Sequence, residues 1–104
     1  MARFDVYGNP DPAERKSVPY FLDLQNEFLE GLETRVVVPL RTPEGFRGRL
    51  RNLNPDLQVE GKTVTMDTAT IAAIPMGELR RPVTNIADQR LLIEDALDTL
   101  FGSH

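Results

Sequence analysis

Along most of the chain, apolar and polar positions alternate with period two, and near the C-terminus the period becomes helical. Arg3-Phe-Asp-Val-Tyr7 places Phe4 and Val6 on one face, as a first strand would. Pro19-Tyr-Phe-Leu-Asp-Leu24 sets Tyr20, Leu22 and Leu24 against Phe21 and Asp23, and its proline stands at the start, where a strand tolerates one. Arg35-Val-Val-Val-Pro-Leu40 predicts a third strand, because consecutive β-branched residues are stiff and favour extended backbone. Pro39 lacks a ladder N–H and is expected at a sheet edge or a bulge. Leu57–Glu60 and Thr63–Met66 alternate around Gly61-Lys62, which predicts a hairpin whose two-residue turn has glycine first, as type II′ demands. Ile71–Met76 reads as a last short strand, with Pro75 again marking an edge or bulge. From Asn85 to Phe101, Ile86, Ile93, Ala96, Leu97, Leu100 and Phe101 recur at helical spacing. This predicts one amphipathic helix of ~16 residues, ~24 Å long, with Asp88, Glu94, Asp95 and Asp98 in water. Asn85 would be its N-cap, with Asp88 favouring the positive end of the helix dipole, and Gly102 its C′ glycine.

The connecting segments carry the turn formers. Asn9 to Pro19 is polar with three prolines and predicts a mobile surface loop with solvated charges. Gln25 to Thr34 allows one turn and a loop, and Thr42 to Leu53 is irregular and locally basic. Strands come first and a single helix last, without βαβ alternation. The fold class is therefore mainly β (β+α): an antiparallel sheet or small, partly open barrel with a C-terminal α-helix, built as one domain over residues 1–104.

Composition narrows the function. With 104 residues and no cysteine there is no disulfide framework, thiol nucleophile or thiolate metal site. No apolar run approaches a membrane span and no cationic, apolar signal segment opens the chain, so a cytoplasmic protein is expected. The formal net charge of −4 disfavours a phosphate-tracking surface, and direct nucleic-acid binding is not expected. The sole histidine, His104, is at the chain end and the glycines lie singly, so neither a catalytic triad nor a phosphate-cradling loop can be assembled. Carboxylate pairs such as Asp95 and Asp98 read as solvated faces. Arg35, Arg41, Arg47, Arg49 and Arg51 cluster in one third of the chain; a phosphate clamp is one reading, and a solvated basic loop is the better one. No residue is assigned as catalytic or metal-binding, and no cofactor is expected.

Four stretches, in order, carry a family likeness: Phe4-Asp-Val-Tyr7, Tyr20-Phe-Leu-Asp-Leu-Gln25 with Phe28-Leu29, Thr34-Arg-Val-Val-Val-Pro-Leu40, and Ile74-Pro-Met76 ahead of the terminal helix. Together they resemble CcdB, the toxin family of the CcdA–CcdB toxin–antitoxin pair. The resemblance implies a small barrel shared with the MazF and Kid ribonuclease toxins, a homodimer, and a non-enzymatic protein that binds the A subunit of DNA gyrase and is neutralised by a CcdA-like antitoxin. It also implies a gyrase-binding set of Phe28, Leu29, Asp98, Phe101, Gly102, Ser103 and His104, and an antitoxin-binding set of Phe28, Leu29, Glu30 and Phe101. Where the best-studied family pattern ends Phe-Trp-Gly-Ile, this chain has Phe101-Gly102-Ser103-His104, a terminus that also reads as the start of an affinity-tag remnant. Two alternatives stay open: a family member that binds antitoxin but no longer poisons gyrase, and a MazF-like ribonuclease toxin.

Overall fold

The computed structural model describes residues 1–29 and 31–102. Seven strands run in chain order: β1 (Asp5–Gly8), β2 (Tyr20–Asp23), β3 (Thr34–Arg41), β4 (Asp56–Val59), β5 (Lys62–Met66), β6 (Ala72–Pro75) and β7 (Thr84–Asn85). One helix, α1 (Arg90–Phe101), closes the order. The strands form an antiparallel, nearly closed barrel in the order β4-β5-β3-β2-β1-β7, with β6 pairing β3 off that path. β3 is the spine. Its first half pairs with β6 (Thr34 opposite Pro75, Val37 opposite Ala72) and its last residues with β5 (Leu40 opposite Met66).

This division explains Pro39, which is neither on an edge strand nor in a bulge. It faces Phe21 of β2 on one side and on the other falls where β3 changes partner, so the missing N–H breaks no ladder. The Pro39 carbonyl is still used, accepting from the Asp67 N–H at 3.0 Å. Pro75 does lie on a strand that pairs, among the described residues, with β3 alone, as its missing donor requires.

The hairpin is real, but its register is one residue off expectation. Val59 pairs with Lys62, so the turn residues are Glu60 and Gly61, with φ of 49° and 79°. Two positive φ values make a type I′ turn with glycine second, whose twist matches that of the flanking strands.

The helix is shorter than its sequence period. Thr84 and Asn85 are a strand opposite Asp5 and Val6, because the outer backbone of β1 would otherwise go unpaired. Val83 and Ile86 extend that pairing through N–H bonds to Val6 (2.8 Å) and Phe4 (3.0 Å). The Asn85 carboxamide oxygen accepts from the Ala87 N–H at 2.9 Å, an Asx turn that leads into a 3₁₀ turn over Ala87–Gln89 with Ile86 at its N-cap, so Asn85 does not cap the α-helix. Gly102, at φ 82°, donates to the Asp98 carbonyl at 2.9 Å and ends α1 as a C′ glycine. At the other end, the Gln89 carboxamide both accepts from the Gln58 N–H and donates to the Gln58 carbonyl, at 2.8 Å each. It thereby takes the place of a neighbouring strand along β4.

Ile86, Ile93 and Ala96 seat the helix on a core of Val6, Leu22, Val38, Leu40, Leu57, Val59, Val64 and Met66. Leu97 and Leu100 are half-buried, and Phe101, expected in the same stripe, is exposed. Tyr7, Val37 and Leu79 make a second, smaller cluster, which is why adjacent valines of β3 can both be buried. The Asn9–Pro19 loop also differs from expectation, since Asn9 is buried and pins it. Asn9 donates to the Val18 carbonyl at 2.9 Å and accepts from the Asp11 N–H at 2.9 Å, while Arg15 donates to the Asn9 carbonyl at 2.6 Å.

Candidate interaction face

The turn after β2 is set by Asn26. Its side-chain oxygen accepts from the Phe28 N–H at 2.9 Å and its carbonyl from the Leu29 N–H at 3.1 Å, an Asx turn that leaves both apolar side chains outside the core. Phe28 is 85% exposed and, at the far end of α1, Phe101 is 71% exposed. A buried aromatic removes ~150–250 Å² from water, so two left in solvent are conspicuous.

One residue joins them. Phe28 lines a cleft of ≈ 720 Å³ together with Arg3, Phe4, Asn26, Asn85 and Arg90. Asp98 and Phe101 line a second, of ≈ 380 Å³, with Arg3, Glu94 and Leu97. Arg3 belongs to both, and the period-two reading of the first strand gave it no role. Three contacts hold it: Nε donates to the Leu24 carbonyl at 3.1 Å, Nη1 lies 3.6 Å from Glu94, and the guanidinium sits 4.7 Å from the Phe4 ring centroid. Both members of the ion pair are partly in water, so it orients Arg3 more than it stabilises the fold.

Backbone geometry fixes this arrangement. Phe4 has φ of 74°, a left-handed conformation that costs a non-glycine residue ~1–2 kcal/mol. Hydrogen bonds on both sides hold it there, from its N–H to the Asp23 carbonyl at 2.7 Å and to its carbonyl from Ile86 at 3.0 Å. Beneath lies Asp5, whose carboxylate accepts from the Ala2 N–H (2.9 Å), the Asn85 amide (3.0 Å) and the Tyr7 hydroxyl (3.4 Å). Burial first, and the negative Asp5 and Asp23 next, push the Tyr7 phenol up from 10.0 to about 12.

The expected site residues divide between surfaces. Phe28, Asp98 and Phe101 lie on the two clefts that share Arg3. Leu29 instead lines a different cleft, with Met1, Leu32, Arg35 and Met76. Gly102 offers no side chain, and its φ of 82° suits glycine at the position where the family pattern has tryptophan. Glu30, Ser103 and His104 lie outside the described residues.

Ion pairing takes three of the five clustered arginines, whereas Arg47 and Arg51 are exposed, as a solvated loop would have them. Contrary to a solvated loop, Arg35 is buried and bidentate on Asp23, Nε to Oδ2 at 2.8 Å and Nη2 to Oδ1 at 3.0 Å. Arg41 pairs with Asp67 at 2.7 Å and Arg49 with Asp56 at 2.5 Å. Among the described residues no group of histidines or carboxylates is arranged to hold a metal ion, and no helix is long and apolar enough to cross a membrane.

The structure is a nearly closed antiparallel barrel with a terminal helix, exposing two aromatics on either side of Arg3. The family model described as CcdB protein matches residues 3–102, and the chain belongs to that family. Membership supports the role of toxin component in a toxin–antitoxin module. No curated protein matches the chain.

Proposed function

We propose that this protein acts as a homodimer on the A subunit of DNA gyrase, blocks its topoisomerase cycle, and is neutralised by a CcdA-like antitoxin. The observation that supports this reading most is the continuous face from Phe28 across Arg3 to Asp98 and Phe101. It offers two aromatic anchors and a fixed cation, the composition of an interface hot spot. An acidic chain of this kind suits an antitoxin segment of mixed, amphipathic character better than a strongly acidic one. Leu91 and Leu92 are 77% and 51% exposed on the outer side of α1 and are the surplus apolar surface proposed for the dimer contact. Binding to partners, rather than catalysis, is the proposed activity: Arg35 and Arg41, the candidates for an RNA clamp, each already face a carboxylate.

Affinity for a gyrase A fragment tests the reading, with the oligomeric state checked by light scattering on the same samples. Phe28→Ala and Phe101→Ala are each expected to weaken binding by ~2 kcal/mol, roughly thirtyfold. Both side chains are largely in solvent, so thermal stability should hold. Replacing the tail by Gly102→Trp, Ser103→Gly and His104→Ile is expected to tighten binding, less than side-chain area alone suggests because tryptophan must leave the left-handed conformation of Gly102. Nanomolar binding unaffected by any of these changes, or a one-chain mass that persists as concentration rises, would overturn this reading.

A further inference from the structure

The cleft on the other side of the Asn26 turn shares only Glu27 with the face just described. Leu29, Leu32, Met1 and Met76 form its walls and Arg35 part of its floor, around ≈ 370 Å³, within the ~300–1,000 Å³ of clefts that hold ligands. All four apolar residues are exposed. Arg35 is buried, and among the described residues its Nε and Nη2 make every hydrogen bond of the guanidinium, to Asp23 and to the Gln25 carbonyl at 3.2 Å. Nη1 is therefore a donor with no partner among those residues, on a side chain locked in place by the other two nitrogens. Gln25 beside it is also buried and accepts from the Val36 N–H at 2.9 Å, while its Nε2 has no partner among the described residues.

Charge selects the occupant. Asp23 already matches Arg35, whereas Glu27 and Glu33 both line the cleft and neither is in an ion pair among the described residues. The α-amino group of Met1 offsets at most one of them. An apolar cavity with a surplus carboxylate at its edge favours a cation flanked by apolar side chains. Extended backbone suits the place, because Met76 continues β6 by donating to the Glu33 carbonyl at 2.8 Å and β6 pairs with no strand other than β3 among the described residues.

We infer that this cleft docks an extended polypeptide segment in which a lysine or arginine sits between apolar residues. The apolar side chains fill the space between Leu29, Leu32 and Met76, the basic group meets Glu27 and Glu33, and a main-chain carbonyl accepts from Arg35 Nη1. The inference does not depend on the gyrase reading, since Leu32, Glu33, Arg35 and Met76 line neither cleft of the Phe28 face.

The test uses the full chain and two synthetic peptides, acetyl-Val-Leu-Lys-Ile-Leu-amide and the same peptide with glutamate for lysine, titrated while the amide and Arg Nε–H resonances are followed. The lysine peptide is expected to bind, to shift the Arg35 Nε–H and the 29–36 backbone, and to weaken at least tenfold with Leu32→Ser plus Met76→Ser or with Glu33→Lys. These three positions are exposed, so the variants should fold, and unchanged gyrase affinity in them would separate this cleft from the Phe28 face. Equal binding of the glutamate peptide, no binding at millimolar concentration, shifts centred on Phe28 and Phe101, or loss of a two-chain mass on Leu32→Ser, showing a second copy seated there, would each overturn the inference.

Discussion

At one end of β3, Arg35 is sealed against Asp23 with side-chain exposures of 6% and 0%; at the other, Arg41 meets Asp67 with 33% and 13%. The ion pairs use the same residue types on the same strand. Their surroundings make them different objects. The Asp23 pair is enclosed by β2, β3 and the start of the Asn26 turn, where water cannot replace either partner, so the cost of desolvation is met only while both charges and their hydrogen bonds are present. The Arg41 pair lies where β3 leaves β6 for β5, with water on one side, and its net value is small. The lesson is that identical residue types on one strand hold the fold or merely decorate it according to what covers them.

Removing one member of the sealed pair is the largest effect expected. Asp23→Ala leaves a guanidinium buried without its carboxylate and should cost ~3–5 kcal/mol in denaturant unfolding. Asp23→Leu combined with Arg35→Met should recover most of that loss, because packing then replaces charge without orphaning a group. A cost below ~1 kcal/mol for Asp23→Ala would show that the pair is not sealed and would erase the contrast with Arg41.

The next effect comes from Tyr7, which shares the enclosed end with Asp23. Its folded-state value of about 12 stands above the ordinary 10.0. Below pH ~10 the phenol is neutral in both states and its contribution is fully present; as pH rises from about 10 towards about 12 the unfolded chain ionises first, so stability is progressively lost. Absorbance titration of tyrosinate should show Tyr7 ionising above the ordinary phenol range, and the melting temperature should fall across this window. Tyr7→Phe should remove that step, while Tyr20→Phe, on a half-buried residue, should leave it.

Much of this architecture was legible in the chain, for a physical reason that also explains what was not. Four strands and the terminal helix follow from the period of their apolar positions, because each buries a face and the pattern records burial, while β3 and β6 follow from a β-branched and an apolar run. β7 did not show because two residues cannot establish a period, and its strand character is imposed by the open edge of β1. The hairpin register was misread because Gly61-Lys62 and Glu60-Gly61 both satisfy a turn rule. Twist decides between them, and twist is a property of the paired strands. Arg35 read as basic surface since sequence spacing does not reveal that Asp23 lies across the ladder. Of the candidate face, Phe28 and Phe101 were visible, whereas Arg3 was not: its role comes from a left-handed Phe4, which no local pattern announces.

The smallest effect concerns the open end of β3. Arg41→Met keeps the aliphatic stem that packs on the strand and removes only the charge, so its cost should be under ~1 kcal/mol and should shrink further as salt is raised. The ladder there does not depend on the guanidinium, because the Asp67 N–H still reaches the Pro39 carbonyl and Leu40 still faces Met66. Denaturant midpoints of Arg41→Met and Asp23→Ala, measured at low and high salt, place the two ends on one scale. The open-end variant should approach the parent protein as salt rises, and the sealed-end variant should stay far below it at both concentrations, since a guanidinium only 6% exposed is screened far less than one at the surface. If Arg41→Met instead costs several kcal/mol at either salt concentration, then Asp67 and Arg41 hold the β3–β5 junction together, and exposure is the wrong measure of what an ion pair does in this barrel.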